Sequence, residues 1–157
     1  MEALAVQVGA ALKSRGWMLA TAESCTGGGI AQAVTAVAGS SVWFERGFVT
    51  YSNQSKQQML GVREATLIAH GAVSEATVRE MAQGALRHSS AQAALAVSGI
   101  AGPGGGTPEK PVGTVWLAWA TADGRVLATR QYFPGDRDEV RAQAVRAALQ
   151  GLLGLLA

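Results

Sequence analysis

The sequence predicts an α/β protein, a three-layer α/β/α sandwich around a mixed, largely parallel sheet of about five strands. Three observations predict it. Short apolar, strand-like segments alternate along the chain with longer stretches whose apolar residues recur at helical spacing. Two long strand-like segments in the last third are joined by Asp123-Gly124, a hairpin signal that introduces one antiparallel strand. At 157 residues, with no internal repeat and no low-complexity linker, the chain reads as a single domain spanning 1–157.

The elements follow in order. Residues 2–14 carry Leu4, Val8, Ala11 and Leu12 at helical spacing among charged positions, the pattern of an amphipathic helix and not of a secretory signal. Residues 18–22 are strand-like and 28–37 helix-like. Residues 47–51 contain the β-branched and aromatic side chains that sheets favour. A polar helical stretch over 53–60 comes next. Residues 63–70 and 74–88 read as two helices separated by Gly71, with Ser74 as N-cap of the second. Residues 93–97 form a short buried strand that runs into Ser98-Gly-Ile-Ala-Gly-Pro-Gly-Gly-Gly106, a loop by its glycine content. The hairpin strands are 113–121 and 126–133. Asp136 and Glu139 make a capping box for a final helix that ends near Leu152.

Composition removes several function classes. Thirteen Lys and Arg stand against eleven Asp and Glu, and the arginines are dispersed, so no nucleic-acid partner is expected. No stretch approaches the roughly 20 apolar residues that cross a bilayer, so no membrane partner is expected either. The single cysteine, Cys25, excludes an internal disulfide and fits a cytoplasmic location. His70 and His88 sit where helix ends are expected, and no carboxylate cluster has ligand spacing, so no metal is expected. Neither a Walker loop nor a Gly-x-Gly-x-x-Gly after a strand is present, and no cofactor is expected. The apolar tail Leu152-Leu-Gly-Leu-Leu-Ala157 and the small size point to a homo-oligomer, a dimer or larger.

Chemistry concentrates at Thr21-Ala-Glu-Ser-Cys-Thr-Gly-Gly-Gly29, which closes one strand and opens a helix. In α/β sheets a hydroxyl at the carboxyl end of a strand faces the crevice above the sheet, and a following helix N-terminus suits an anion. Ser24 is thus a candidate nucleophile and the glycines a candidate oxyanion cradle. The same residues also fit an ordinary N-cap and a tight turn. Lys56, one of three lysines, stands among uncharged polar residues just after the next strand. A desolvated lysine can act as a general base where an arginine cannot, although a solvated surface lysine fits the pattern as well. Cys25 is intrinsically the stronger nucleophile but has no histidine placed to serve it. Trp43 is a packing residue or, if exposed, a platform for a ring.

Five segments resemble one family: Ala22-Glu-Ser-Cys-Thr-Gly-Gly28, Gly47-Phe-Val-Thr-Tyr-Ser-Asn53, His70-Gly-Ala-Val-Ser74, Ser98-Gly-Ile-Ala-Gly-Pro103 and Lys110-Pro-Val-Gly-Thr-Val115. In this order they are similar to the CinA carboxyl-terminal domain family, whose enzymatic members are nicotinamide-nucleotide amidohydrolases. The resemblance implies a three-layer sandwich and hydrolysis of nicotinamide mononucleotide, the small-molecule substrate, to nicotinic acid mononucleotide and ammonia. It further implies Ser24 as nucleophile, Lys56 as base and Tyr51 as an auxiliary residue that either bridges the two or lines the pyridine pocket. Larger members carry an additional amino-terminal domain, which is not expected here.

On that reading the backbone N–H groups of Thr26, Gly27 and Gly28 are expected to hold the oxyanion. For the substrate phosphate the candidates are the backbone from Gly102 to Gly106, Gly105 included, with Thr107 and either Arg137 or Arg141. Arg137 is preferred because it lies in the first turn after Pro134-Gly135, although it equally fits a surface salt bridge to Asp138 or Glu139. Glu23 or an aromatic face is expected to meet the pyridinium cation. The alternative is a non-catalytic module that binds pyridine nucleotides.

Overall fold

Alternation within the strands sorts the two faces of the sheet. In the computed structural model, which describes residues Met1–Ala157, five strands form one sheet in the order β2-β1-β3-β4-β5. They are β1 Leu19–Glu23, β2 Phe44–Val49, β3 Ala93–Gly99, β4 Thr114–Thr121 and β5 Val126–Tyr132. β1 pairs in parallel with both β2 and β3, whereas β3 with β4 and β4 with β5 are antiparallel. Only β4 therefore runs against the other four, as the Asp123-Gly124 hairpin predicts.

Leu19, Leu95, Val97, Leu117 and Trp119 point to one face, where they meet α1 Glu2–Arg15, α2 Gly29–Thr35 and α6 Arg137–Leu156. Their neighbours Ala20, Ala22, Ala94, Ala96, Ala118 and Ala120 point to the other, against α3 Asn53–Leu60, α4 Glu64–His70 and α5 Glu75–Arg87. Successive strand side chains face opposite ways. A strand that is apolar throughout, such as β3, thus presents large side chains to one layer and alanines to the next. The alanine face admits α5 closely, and Val78, Met81, Ala82 and Ala85 are fully buried there. Gly84 of α5 in turn touches the Leu60 carbonyl, an approach that a Cβ would forbid, and this contact seats the end of α3.

The start of β2 and the end of the final helix differ from the sequence expectation, and Trp43 takes the packing role of its two alternatives. β2 starts at Phe44, earlier than expected, after a 3₁₀ turn over Ser40–Val42. Its charged start resembles a loop, but β2 is an edge strand, where Glu45 and Arg46 pair with each other at 2.7 Å in solvent. Trp43 is only 3% exposed and packs against Gly9 of α1, so it offers no face to a ring. The final helix continues to Leu156, and Leu152 and Leu156 lie in the core. The apolar tail is accounted for within the chain, which removes the argument it lent to an oligomer. No helix is long and apolar enough to cross a membrane.

Candidate active site

Because β1, β2 and β3 run the same way, their carboxyl ends meet at one edge of the sheet. The ladder continues just beyond them. Ser24 N–H donates to the Val97 carbonyl (3.0 Å) and Thr50 N–H to the Glu23 carbonyl (2.8 Å), which draws the three strand exits together. Ser24 then begins a tight turn in which the Gly27 N–H returns to its carbonyl (3.0 Å). Gly27 and Gly28 have φ of +58° and +99°, the left-handed region where a side chain is strained, which is why glycines follow the serine.

Glu23 does not meet a substrate cation. Its buried carboxylate accepts from Thr26 Oγ1 (2.6 Å), Ile30 N–H (2.8 Å) and Ala31 N–H (3.0 Å). It caps α2 and complements the positive end of that helix, so the N-terminus of α2 is closed to an external anion.

Lys56 is brought in by α3. Ser52 caps this helix in a box with Ser55: Ser55 N–H donates to Ser52 Oγ (3.0 Å) and Ser52 N–H to Ser55 Oγ (3.1 Å). The first turn carries Lys56 inward until it is 1% exposed. Its Nζ lies 3.1 Å from Ser24 Oγ and donates to the Thr50 carbonyl (2.8 Å). The ion pairs of the chain all lie elsewhere, so no carboxylate holds this amine charged. Burial pulls its pKa below the ordinary lysine value, outweighing the opposing effect of the nearby Cys25. A depressed amine beside a hydroxyl is what general-base activation of a serine needs. Cys25 itself is pushed up to about 11 by burial, so its thiol stays protonated and is a poor nucleophile.

A cavity of about 300 Å³ opens over this pair. Of the residues expected from sequence, Ser24, Tyr51, Lys56, Gly102, Gly105 and Arg137 line it. Tyr51 is 62% exposed at the mouth, and its hydroxyl accepts from Arg137 Nη2 (2.9 Å) and makes no bond to Ser24 or Lys56. Arg137 also donates from Nη1 to the Gly102 carbonyl (2.8 Å), so it makes no salt bridge to Asp138 or Glu139. The Asp136 and Glu139 capping box fixes the turn from which it projects.

Other expected residues lie outside the lining. Thr107 closes its own turn, accepting from Lys110 N–H at Oγ1 (3.0 Å). Thr26 points its hydroxyl at Glu23, the Gly27 N–H is taken by Ser24, and Gly28 is the N-cap of α2. The backbone N–H groups of Cys25, Thr26 and Gly28 have no acceptor within the chain, and those of Cys25 and Thr26 are the nearer in sequence to Ser24. Arg141 lies behind the turn, bonded to the Cys25 and Thr26 carbonyls. Two polar lining residues carry no site role in the sequence analysis: Asn53, in the first turn of α3, and Ser98, buried at the end of β3. Ser98 stands to β3 as Ser24 stands to β1, a polar residue at a strand exit, and that position was its available signal. No three His, Cys, Asp or Glu side chains converge closely enough to hold a metal ion.

The family profile of the CinA C-terminal domain matches residues 1–156. The chain belongs to the CinA C-terminal domain family. Within it, the chain is similar to nicotinamide-nucleotide amidohydrolase PncC of Escherichia coli K12, at 62% identity over 95% of this chain and 90% of the relative. It is 55% identical to nicotinamide-nucleotide amidohydrolase PncC of Pseudomonas putida, over 97% of this chain and 94% of that one. Among solved structures, the competence/damage inducible protein CihA of Agrobacterium tumefaciens superposes with a TM-score of 0.97 at 50% identity, covering 99% of this chain and 95% of the other. The mixed five-stranded sheet is thus shared with that solved structure.

Proposed function

We propose that this chain is a nicotinamide-nucleotide amidohydrolase that converts nicotinamide mononucleotide and water to nicotinic acid mononucleotide and ammonia. The observation that carries the reading is the buried, unpaired Lys56 amine 3.1 Å from Ser24 Oγ at the floor of a nucleotide-sized cavity. The relatives named for this activity, at 55 and 62% identity, supply the substrate class.

Neutral Lys56 takes the Ser24 proton as Oγ attacks the carboxamide carbon. The C=O becomes a tetrahedral oxyanion beside the free N–H groups of Cys25 and Thr26, where one well-placed donor is worth roughly 3 kcal/mol. The C–N bond then breaks as the Lys56 ammonium returns the proton to the departing nitrogen, releasing ammonia and leaving an ester on Ser24. Lys56, neutral again, takes a proton from water, whose oxygen attacks the ester carbon. Collapse of the second intermediate returns that proton to Ser24 Oγ and frees the carboxylic acid. Tyr51, Arg137 and the backbone at Gly102 and Gly105, at the open end of the cavity, hold the phosphate. The reaction is placed in the cytoplasm, where a lone, reduced Cys25 is at home.

The test is incubation of the purified protein with nicotinamide mononucleotide, following ammonia and the acid nucleotide together, with Ser24→Ala in parallel. Equal release of both products by the parent and none by the variant is expected. A folded parent that binds the nucleotide and releases neither product overturns the reading and leaves a binding module.

A further inference from the structure

Behind the nucleophile turn, away from the cavity, a single cation addresses two successive carbonyls. Arg141, in the second turn of α6, donates from Nε to the Cys25 carbonyl (3.1 Å) and from Nη2 to the Thr26 carbonyl (3.2 Å). It has no carboxylate partner, so its charge is directed at these peptide units. Arg141 is absent from the lining of the Ser24 cavity.

In a trans peptide the C=O and the N–H of one unit point in opposite directions. With the Thr26 carbonyl turned to Arg141, the N–H of the same unit, that of Gly27, points back to the Ser24 carbonyl, at 3.0 Å. The preceding unit is held the same way. Its carbonyl, that of Cys25, faces Arg141, so its N–H, that of Thr26, points away from Arg141 and has no partner within the chain. A guanidinium on the oxygen of a peptide also polarises the unit and strengthens the donor at its far end. Glu23 anchors the end of the same turn through Thr26 Oγ1.

We infer that Arg141 is a positioning residue for the amidohydrolase reaction. It acts through the Cys25 carbonyl to aim and polarise the Thr26 N–H, one of the two backbone donors assigned to the oxyanion on the Ser24 adduct, while its bond to the Thr26 carbonyl, shared with the Gly29 N–H (2.9 Å), steadies the rest of the turn. The inference rests on the reading of Ser24 as nucleophile given above, and it separates Arg141 from Arg137, which belongs to the cavity mouth.

The experiment compares the parent with Arg141→Met, which keeps the aliphatic stem, and Arg141→Lys, which keeps the charge and one donor. Steady-state kinetics on nicotinamide mononucleotide are paired with the rate of Ser24 phosphonylation by a fluorophosphonate, read by intact mass, and with thermal unfolding. Loss of a whole oxyanion donor lowers turnover about 100- to 1,000-fold, and a misaimed donor less. The expected result for Arg141→Met is therefore a fall in kcat of about 10- to 100-fold with KM within about threefold. Fluorophosphonate labelling slows in step, and millimolar guanidinium restores part of both rates. Arg141→Lys falls between, and carries the test should the methionine variant fail to fold. A raised KM with kcat retained makes Arg141 a substrate ligand and overturns the inference, as do unchanged rates. A parent that labels at Ser24 without releasing ammonia overturns the amidohydrolase reading alone, and the labelling ratio between parent and variant still decides the role of Arg141.

Discussion

Tyr51 and Arg137, eighty-six positions apart in the chain, join at 2.9 Å across the mouth of the cavity. The same guanidinium reaches Gly102 at 2.8 Å, so one side chain ties the exit of β2, the loop after β3 and the start of α6. A hydrogen bond to a charged group is worth about 1.5–3 kcal/mol. Arg137→Ala is expected to raise KM for nicotinamide mononucleotide about 10- to 100-fold while leaving kcat within about threefold. Tyr51→Phe, which removes only the hydroxyl, moves KM less. A large fall in kcat with KM unchanged contradicts the phosphate assignment.

Lys56 makes two predictions about pH. On the proposed mechanism it acts as a base only when neutral, so kcat/KM is expected to rise with pH through an apparent pKa below the ordinary lysine value, the direction set by burial. The unfolded chain holds a proton there that the folded chain sheds, so stability increases with pH between the lowered pKa and the unfolded value of about 10.4. Lys56→Met is expected to abolish turnover, a loss of at least about 100-fold, and to flatten this rise. Denaturant titrations of parent and variant across the alkaline range read the second effect. A Lys56→Met protein with the parent's pH dependence of stability shows that the amine stays charged in the fold.

Cys25 sits beside Ser24 yet is chemically quiet. With its pKa at about 11, its thiolate fraction at pH 8 is lower than that of a free cysteine by a factor of some hundreds. Alkylation of the native protein by iodoacetamide is expected to be slower than that of the unfolded protein by at least that factor. Rapid native alkylation blocked by nicotinamide mononucleotide shows a thiol that is exposed and activated.

Glu23→Ala removes the acceptor of three buried or half-buried donors, those of Thr26, Ile30 and Ala31. Each unpaired donor costs about 1–3 kcal/mol, so the variant is expected to lose at least about 3 kcal/mol. Glu23→Gln, which keeps one acceptor oxygen, loses less. Chemical unfolding measures both, and an unchanged midpoint for the alanine variant means that the cap is redundant.

Most elements were legible because their signals are local. The capping box at Asp136 and Glu139, the Asp123-Gly124 turn and the helical spacing of α1 act over a few residues, and each appears where it was read. The start of β2 was hidden because an exposed edge strand tolerates Glu45 and Arg46 as a loop does. At the site, residue types alone left Lys56 open between a base and a surface lysine, and only the fold shows it buried against Ser24. The place of Glu23 is not legible because two of its three partners are backbone N–H groups, which a sequence does not display as chemistry. Arg141 and the turn it grips are separated by more than a hundred positions, so no local pattern reports their contact.

The reversal of β4 shapes what can vary in this protein. β3 leaves the sheet at Gly99, and β4 re-enters it at Thr114, on the same rim as Ser24, with Ile100 and Thr114 bonded at 2.9 Å. The intervening residues form a loop whose two feet are fastened while Gly104 and Gly105 line the cavity. Doubling the length of such a loop costs only about 0.6 kcal/mol in closure entropy. Variation in the length of this loop therefore costs the fold little, while Arg137 keeps its first residues, at Gly102, fastened to the exit of β2.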